Sequence, residues 1–404
     1  MPEAFGTHHT KMMVLFRHDD TAQVVIHTAN MITQDWRNLS QAVWRSPLLP
    51  LLAEPETADD LMKSSEPYPV GTGKRFKLDF LKYISFYGVQ RTGALSDQLE
   101  KHDFSTIRAA LVGSVPCKQK SQNDSQRRTT RSGWLGLQDI MPKIPTRTRF
   151  DERPVIVAQV SSIATLGATT AWTDSFFGTL NDSTKAFGKA PIRRIIFPNT
   201  DEIRRSHDGY ASGSSIHTKI QSKTQAKQVD YLRPLLCYWA GDADGLRPPS
   251  DETPVREAGR RRAAPHIKTY VRFTNKDMDQ IDWAMVTSAN LSTQAWGTLP
   301  NKDGEVKISS YELGVVVWPA LFDDPAAGSD PVGQTKGVMV PTFKQDTASP
   351  QGAAVNDASR VVGFRMPYDL PLVRYTDEEL PWCATAEYKE PDNFGRSWHG
   401  FVGR

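Results

Sequence analysis

One pattern occurs twice in this chain, and it limits the architecture more than any other feature. The first copy is His9-Thr10-Lys11, followed by Thr28-Ala29-Asn30 and then Thr33-Gln34-Asp35-Trp36. The second is His266-Ile267-Lys268, followed by Ser288-Ala289-Asn290 and then Thr293-Gln294-Ala295-Trp296. The His-to-Asn spacing is 21 residues in one copy and 24 in the other, and the copies lie 257 residues apart at the histidine. Agreement in order and spacing over such a separation predicts two related lobes. Each H-x-K runs into strand-like residues, where i and i+2 share a face, so His9 pairs with Lys11 and His266 with Lys268. His8 then points the other way, and His27 has Thr287 at its place in the second copy. Both are read as structural.

The residue types narrow the chemistry. An ammonium beside each imidazole opposes a divalent cation, and no carboxylate or thiolate cluster accompanies them, so no metal site is expected here. The same set suits a tetrahedral anion. Lys11 and Lys268 supply charge, and Asn30 and Asn290 supply amide donors for the equatorial oxygens of a phosphoryl transition state. One histidine can attack phosphorus while the other holds a proton for the leaving group.

Composition is less telling. The 404 residues carry a formal charge of only +3, which does not announce a nucleic-acid binder. Cys117, Cys237 and Cys383 are too far apart for a disulfide framework or a zinc site. Apolar runs stay well short of a membrane span. Strands are expected at 12–16, 23–27, 108–112, 155–160, 194–197, 266–273, 283–287 and 311–318, with helices at 74–88 and 222–240. Residues 117–133, 241–265 and 323–360 are polar or rich in Gly and Pro and read as surface insertions. The run Arg260-Arg261-Arg262 is most simply a solvated loop. The fold class is α/β (α+β).

H-x-K twice, each followed by an asparagine, resembles the phospholipase D superfamily. The aspartate that most members carry five residues after the lysine is replaced by Phe16 and Phe273. That loss, with the segments FGTHHTKMM, HTANMITQDW, PHIKTYVR, SANLSTQAWG and SYELGV, makes the chain similar to tyrosyl-DNA phosphodiesterases. The resemblance implies two pseudo-symmetric phospholipase D-like lobes, each a mixed sheet flanked by helices, with the active site between them. Residues 1–116 would form the first lobe and 117–404 the second, with insertions near 242–264 and 323–360.

The resemblance also implies roles. His9 would form a covalent phosphohistidine with the DNA 3′ phosphate. His266 would protonate the leaving tyrosine and then activate water. Lys11, Lys268, Asn30 and Asn290 would bind phosphoryl oxygens, Glu312 would orient His9, and Gln41 would orient His266. Phe5 would stack on a base, Ser161, Ser162, Thr165 and Ser292 would line the DNA groove, and Ser215 and His217 would border the peptide. No cofactor is implied. The expected partners are single-stranded or duplex DNA 3′ ends carrying a tyrosyl peptide, such as topoisomerase I–DNA adducts, acted on by a nuclear monomer with no membrane association. Members of the family carry a longer segment before the first motif, whereas eight residues precede His9 here. A short first lobe with an exposed sheet edge is therefore expected. The alternative is a catalytically impaired fragment that only binds DNA ends.

Overall fold

Val155–Gln159 is apolar on both faces and buried at every position, as a strand covered on both sides must be. It lies near the middle of a nine-stranded mixed sheet in the computed structural model, which describes residues 6–122, 127–147, 152–181, 190–239, 254–323, 337–348 and 360–400. Ile192–Ile196 and then Leu236–Cys237 add to one side of it in parallel. On the other side Thr269–Phe273 pairs antiparallel, followed by Ile281–Thr287. Gly337–Thr342 and Arg360–Arg365 extend that edge. Buried Arg272 and Asp282 pair across the two central strands.

The first half contributes a separate three-stranded antiparallel sheet of Met12–Phe16, Ala22–His27 and Val43–Arg45. Helices Gly73–Ser85 and Val89–Glu100 accompany it. The seam between the halves is a strand pair, Ala110–Ser114 against Glu312–Val317. Its alternation serves two cores at once. Leu111, Leu313 and Val315 join the core of the first half, with Val24, Phe76 and Phe80. Ala110, Val112 and Val316 join that of the second, with Val157, Phe176 and Tyr270. A period of two sends successive side chains to opposite faces, so one ladder ties both cores together. Gly314 makes this possible next to the site, since a Cβ there would stand 2.6 Å from the Val286 carbonyl oxygen.

Most expected strands are present within two residues of their predicted ends, and the expected first helix covers Gly73–Ser85. Others differ for identifiable reasons. The helix expected at 222–240 covers only Lys223–Leu232. Ser222 and Gln225 form its capping box, and Pro234 follows, where a helix interior would need an N–H. The strand expected from His266 begins at Thr269, because Ala264–Pro265 pairs instead with Leu39–Ser40 of the first half. All three expected surface insertions contain ordered sheet, the one at 241–265 through the Ala264–Pro265 strand just described. Cys117–Lys120 pairs with Glu305–Ile308, and Gly337–Thr342 pairs with Arg360–Arg365. Val338 and Met339 are buried there, an apolar pair that the surrounding Gly, Pro and Asp content obscured. Much of the 241–265 insertion, residues 241–253, lies outside the described residues, while 254–265 are described and bury Ala258. Among the described residues no helix is long and apolar enough to cross a membrane.

Candidate active site

The two copies of the motif meet across one cleft, and the backbone positions them by one rule applied twice. The His9 amide donates to the Tyr311 carbonyl at 3.0 Å, and the His266 amide donates to the Ser40 carbonyl at 3.1 Å. In each case the next residue, Glu312 or Gln41, carries the side chain behind the imidazole. His27 N–H donates to the Lys11 carbonyl and Thr287 N–H to the Lys268 carbonyl. Thr28 N–H donates to the Ala42 carbonyl and Ser288 N–H to that of Leu313. Each histidine is therefore held by the half of the chain that does not contain it.

Hydroxyls complete this plan. Ser288 Oγ donates to Glu312 Oε2 at 2.5 Å and accepts from the Leu313 amide at 3.0 Å. Thr28 Oγ1 donates to Gln41 Oε1 at 2.7 Å and accepts from the Ala42 amide at 2.9 Å. Thr28 and Ser288 were not among the expected site residues. The signal was present in the aligned T-A-N and S-A-N, which place a hydroxyl two residues before each asparagine.

His9 Nδ1 lies 2.9 Å from Glu312 Oε2. A carboxylate can only accept, so Nδ1 carries the proton and Nε2 keeps its lone pair for the cleft. Glu312 is buried, which alone would raise its pKa. The charge and hydrogen bond of His9, the Ser288 hydroxyl and Lys11 outweigh burial and hold it below its ordinary value. His266 Nδ1 has two neighbours. Gln41 lies at 3.3–3.4 Å, and Asp35 Oδ2 lies at 3.2 Å. Gln41 is therefore beside His266 as expected, but it is also committed to Thr28 and, through Nε2, to the Asp35 carbonyl at 3.2 Å. Asp35 was missed; its place in the second copy is Ala295. His266 is pushed well below its ordinary value by burial first, then by Lys268, His9, Lys11 and His217.

The lysines mirror one another. Lys11 Nζ donates to the His9 carbonyl at 2.7 Å, and Lys268 Nζ to the His266 carbonyl at 2.5 Å. Each ammonium keeps further N–H donors for an anion. Burial pushes Lys11 down to about 8, with Glu312 and Asp35 opposing. Burial and then the charge of Lys11 push Lys268 well below its ordinary value. Asn290 Oδ1 accepts the amides of Ser161 and Ser162 at 3.0 and 2.9 Å. Two backbone donors fix the amide orientation, so the NH2 is the group it can offer a ligand. Asn30 donates from its backbone and from Nδ2 to Asp35 Oδ2, at 2.6 and 3.0 Å.

The cleft has a volume of about 520 Å³. His9, Asn30, His266, Asn290 and Glu312 line it, as do Ser161, Ser162, Ser215, His217 and Ser292. Lys11, Lys268 and Gln41 stand behind this lining. Thr165 opens instead onto an adjoining cavity of about 210 Å³ shared with Ser162 and His217. The Ser161 hydroxyl lies 3.3 Å from Asn290 Oδ1, and the Ser292 hydroxyl caps the short helix Thr293–Trp296 by accepting the Ala295 amide. Phe5 lies outside the described residues. His8 contacts Tyr87, and His27 packs beside Trp36; neither lines the cleft. Among the described residues no three His, Cys, Asp or Glu side chains converge as metal ligands.

A family profile described as Tyrosyl-DNA phosphodiesterase matches residues 1–376. A probable tyrosyl-DNA phosphodiesterase of Schizosaccharomyces pombe is 32% identical, over 98% of this chain and 77% of its own length. Tyrosyl-DNA phosphodiesterase 1 of Drosophila melanogaster is 32% identical, over 95% of this chain and 58% of its own length. That of Arabidopsis thaliana is 28% identical, over 98% and 62%. The crystal structure of the yeast tyrosyl-DNA phosphodiesterase superposes with a TM-score of 0.61 at 20% identity, covering 94% of this chain and 78% of that one, and supports the two-lobed fold.

Proposed function

The chain belongs to the tyrosyl-DNA phosphodiesterase family, and from that premise we propose that it hydrolyses the phosphodiester joining a DNA 3′ end to a tyrosyl group through a phosphohistidine intermediate. One observation supports this reading above the others. Two imidazoles face one cleft with unequal surroundings: the His9 side chain is 23% exposed and rests on Glu312, while that of His266 is 5% exposed, shared between Asp35 and the neutral Gln41, with Lys268 and Lys11 nearby. Such a pair suits a division of labour between nucleophile and acid–base.

In the first step His9 Nε2 forms a bond to phosphorus as the bond to the tyrosyl oxygen breaks, and His266 Nε2 gives that oxygen its proton. Glu312 supports the positive charge that develops on His9. In the second step His266, now neutral, takes a proton from water. The oxygen attacks phosphorus, the His9–phosphorus bond breaks, and a 3′-phosphate leaves. Burial, and after it the cationic surroundings, push the His266 pKa well below its ordinary value. A bound phosphodiester brings a negative charge among those cations and favours the protonated form needed first. Lys11, Lys268 and the Asn290 amide would hold the nonbridging oxygens through both steps.

In this reading Ser161, Ser162, Thr165 and Ser292 lie on the DNA side, and Ser215 and His217 on the side of the leaving peptide, where a topoisomerase I remnant would sit. The test is cleavage of an oligonucleotide ending in 3′-phosphotyrosine, with EDTA present. Release of tyrosine and a 3′-phosphate is expected. Salt-sensitive binding without turnover would overturn the proposal and leave a DNA-end-binding protein.

A further inference from the structure

We infer that Asp35 is the positioning carboxylate of His266, a role that no motif match assigns and that rests on the proposed phosphohistidine chemistry. Its side chain is buried, yet Oδ1 has no hydrogen-bond partner. Oδ2 carries the whole load: the Asn30 amide at 2.6 Å, Asn30 Nδ2 at 3.0 Å and His266 Nδ1 at 3.2 Å. A carboxylate withdrawn from water needs a cation or a dense set of donors to stay ionised. Among its three contacts, His266 alone can become charged.

The groups around His266 act in opposite senses. Lys268, Lys11, His9 and His217 all disfavour the imidazolium. Gln41 is neutral and cannot offset them. Asp35 is the anion within hydrogen-bond distance of the ring, and Glu312 acts from the far side through Lys268 and His9. With Nδ1–H donated to Asp35, His266 presents Nε2 to the leaving oxygen and keeps the proton that the first step consumes. The second copy shows the complement: its partner histidine, His9, already has Glu312, and the position matching Asp35 is Ala295. One buried carboxylate then stands behind each imidazole.

The test compares Asp35→Asn with the unaltered chain in single-turnover release from two oligonucleotides. One ends in 3′-phosphotyrosine and the other in a 3′-phosphate ester of 4-nitrophenol, a leaving group that departs without needing a proton. General acid catalysis contributes roughly 100-fold or more. The variant is therefore expected to lose at least about tenfold more rate on the tyrosyl ester than on the nitrophenyl ester, and the high-pH limb of tyrosyl release should move to lower pH. In a His266→Asn background the same substitution should add no further loss in tyrosyl release. Equal losses on both esters would show a structural role and overturn the inference, as would no loss on either. Retained nitrophenol release also shows that the variant is folded. If the unaltered chain cleaves neither ester, the proposed function fails, and this inference fails with it.

Discussion

His9 rests 2.9 Å from a carboxylate that a serine hydroxyl and a lysine help keep ionised, and its outer nitrogen opens to the cleft. His266 has the same backbone frame, the same lysine two residues on and a matching hydroxyl two residues before its asparagine. Yet it is buried, its amide neighbour is neutral, and its carboxylate comes from a different position in the repeat. Duplicated geometry has thus been given two electrostatic settings. The frame delivers two imidazoles to one cleft, and the unmatched residues, Glu312, Gln41 and Asp35, give them different surroundings.

The strongest way to break this comparison is to remove each imidazole. His9→Ala should lower tyrosyl release by on the order of 10³-fold or more and leave no covalent adduct, as loss of a nucleophile does. His266→Ala should slow the first step by roughly 10²- to 10⁴-fold and the second as well, so that a DNA adduct on His9 becomes visible on denaturing gels. If the two variants behave alike and neither accumulates adduct, the division of labour is wrong.

A smaller effect concerns the lysines. Lys11 holds its proton only to about pH 8, and the charged form is the one that attracts a phosphate. In a His9→Ala chain, affinity for a 3′-phosphotyrosyl oligonucleotide should therefore fall as pH rises through about 8. Lys11→Arg, which stays charged, should move that fall upward. Fluorescence anisotropy at fixed salt measures both. An unchanged midpoint in the arginine variant would mean that Lys11 does not meet the phosphate.

The smallest expected effects sharpen the comparison at the hydroxyls. Ser288→Ala withdraws a donor from a carboxylate, and Thr28→Val withdraws one from an amide. Hydrogen bonds to charged groups contribute about 1.5–3 kcal/mol and neutral ones about 0.5–1.5 kcal/mol. Thermal unfolding at pH 7 should show the larger loss for Ser288→Ala. Glu312 is held below its ordinary 4.5, so its contribution is fully present above that value. It is lost as pH falls through the lower folded-state value, and the difference between the variants should shrink there. Equal losses at pH 7 would remove the charge asymmetry.

The parts legible in the sequence are those the repeat carries in register: the two H-x-K segments, the two asparagines, and the alternating apolar strands that bring them together. Glu312 and Gln41 stand 22 and 11 residues after their asparagines. No common spacing links them, and family resemblance alone suggested them. Asp35 was hidden because a repeat draws the eye to agreement, and Asp35 sits where the copies disagree. Thr28 and Ser288 were in plain view, but a hydroxyl at a strand end has many uses, and only the backbone pairing shows which side chain it grips. Gly337–Thr342 escaped as a strand because its apolar centre is short and its flanks have loop composition.

The cross-bracing of the halves also bears on the order in which a chain is made. His9 leaves the ribosome well before its supports, since the carbonyl that anchors its amide and the carboxylate that sets its tautomer are about 300 residues further on. Until that distant segment folds back, the first histidine has neither its position nor its proton arrangement. A chain that stops or is cut before Glu312 would leave that imidazole without either support, so His9 is set in place only once the segment through Glu312 has been made and has folded back.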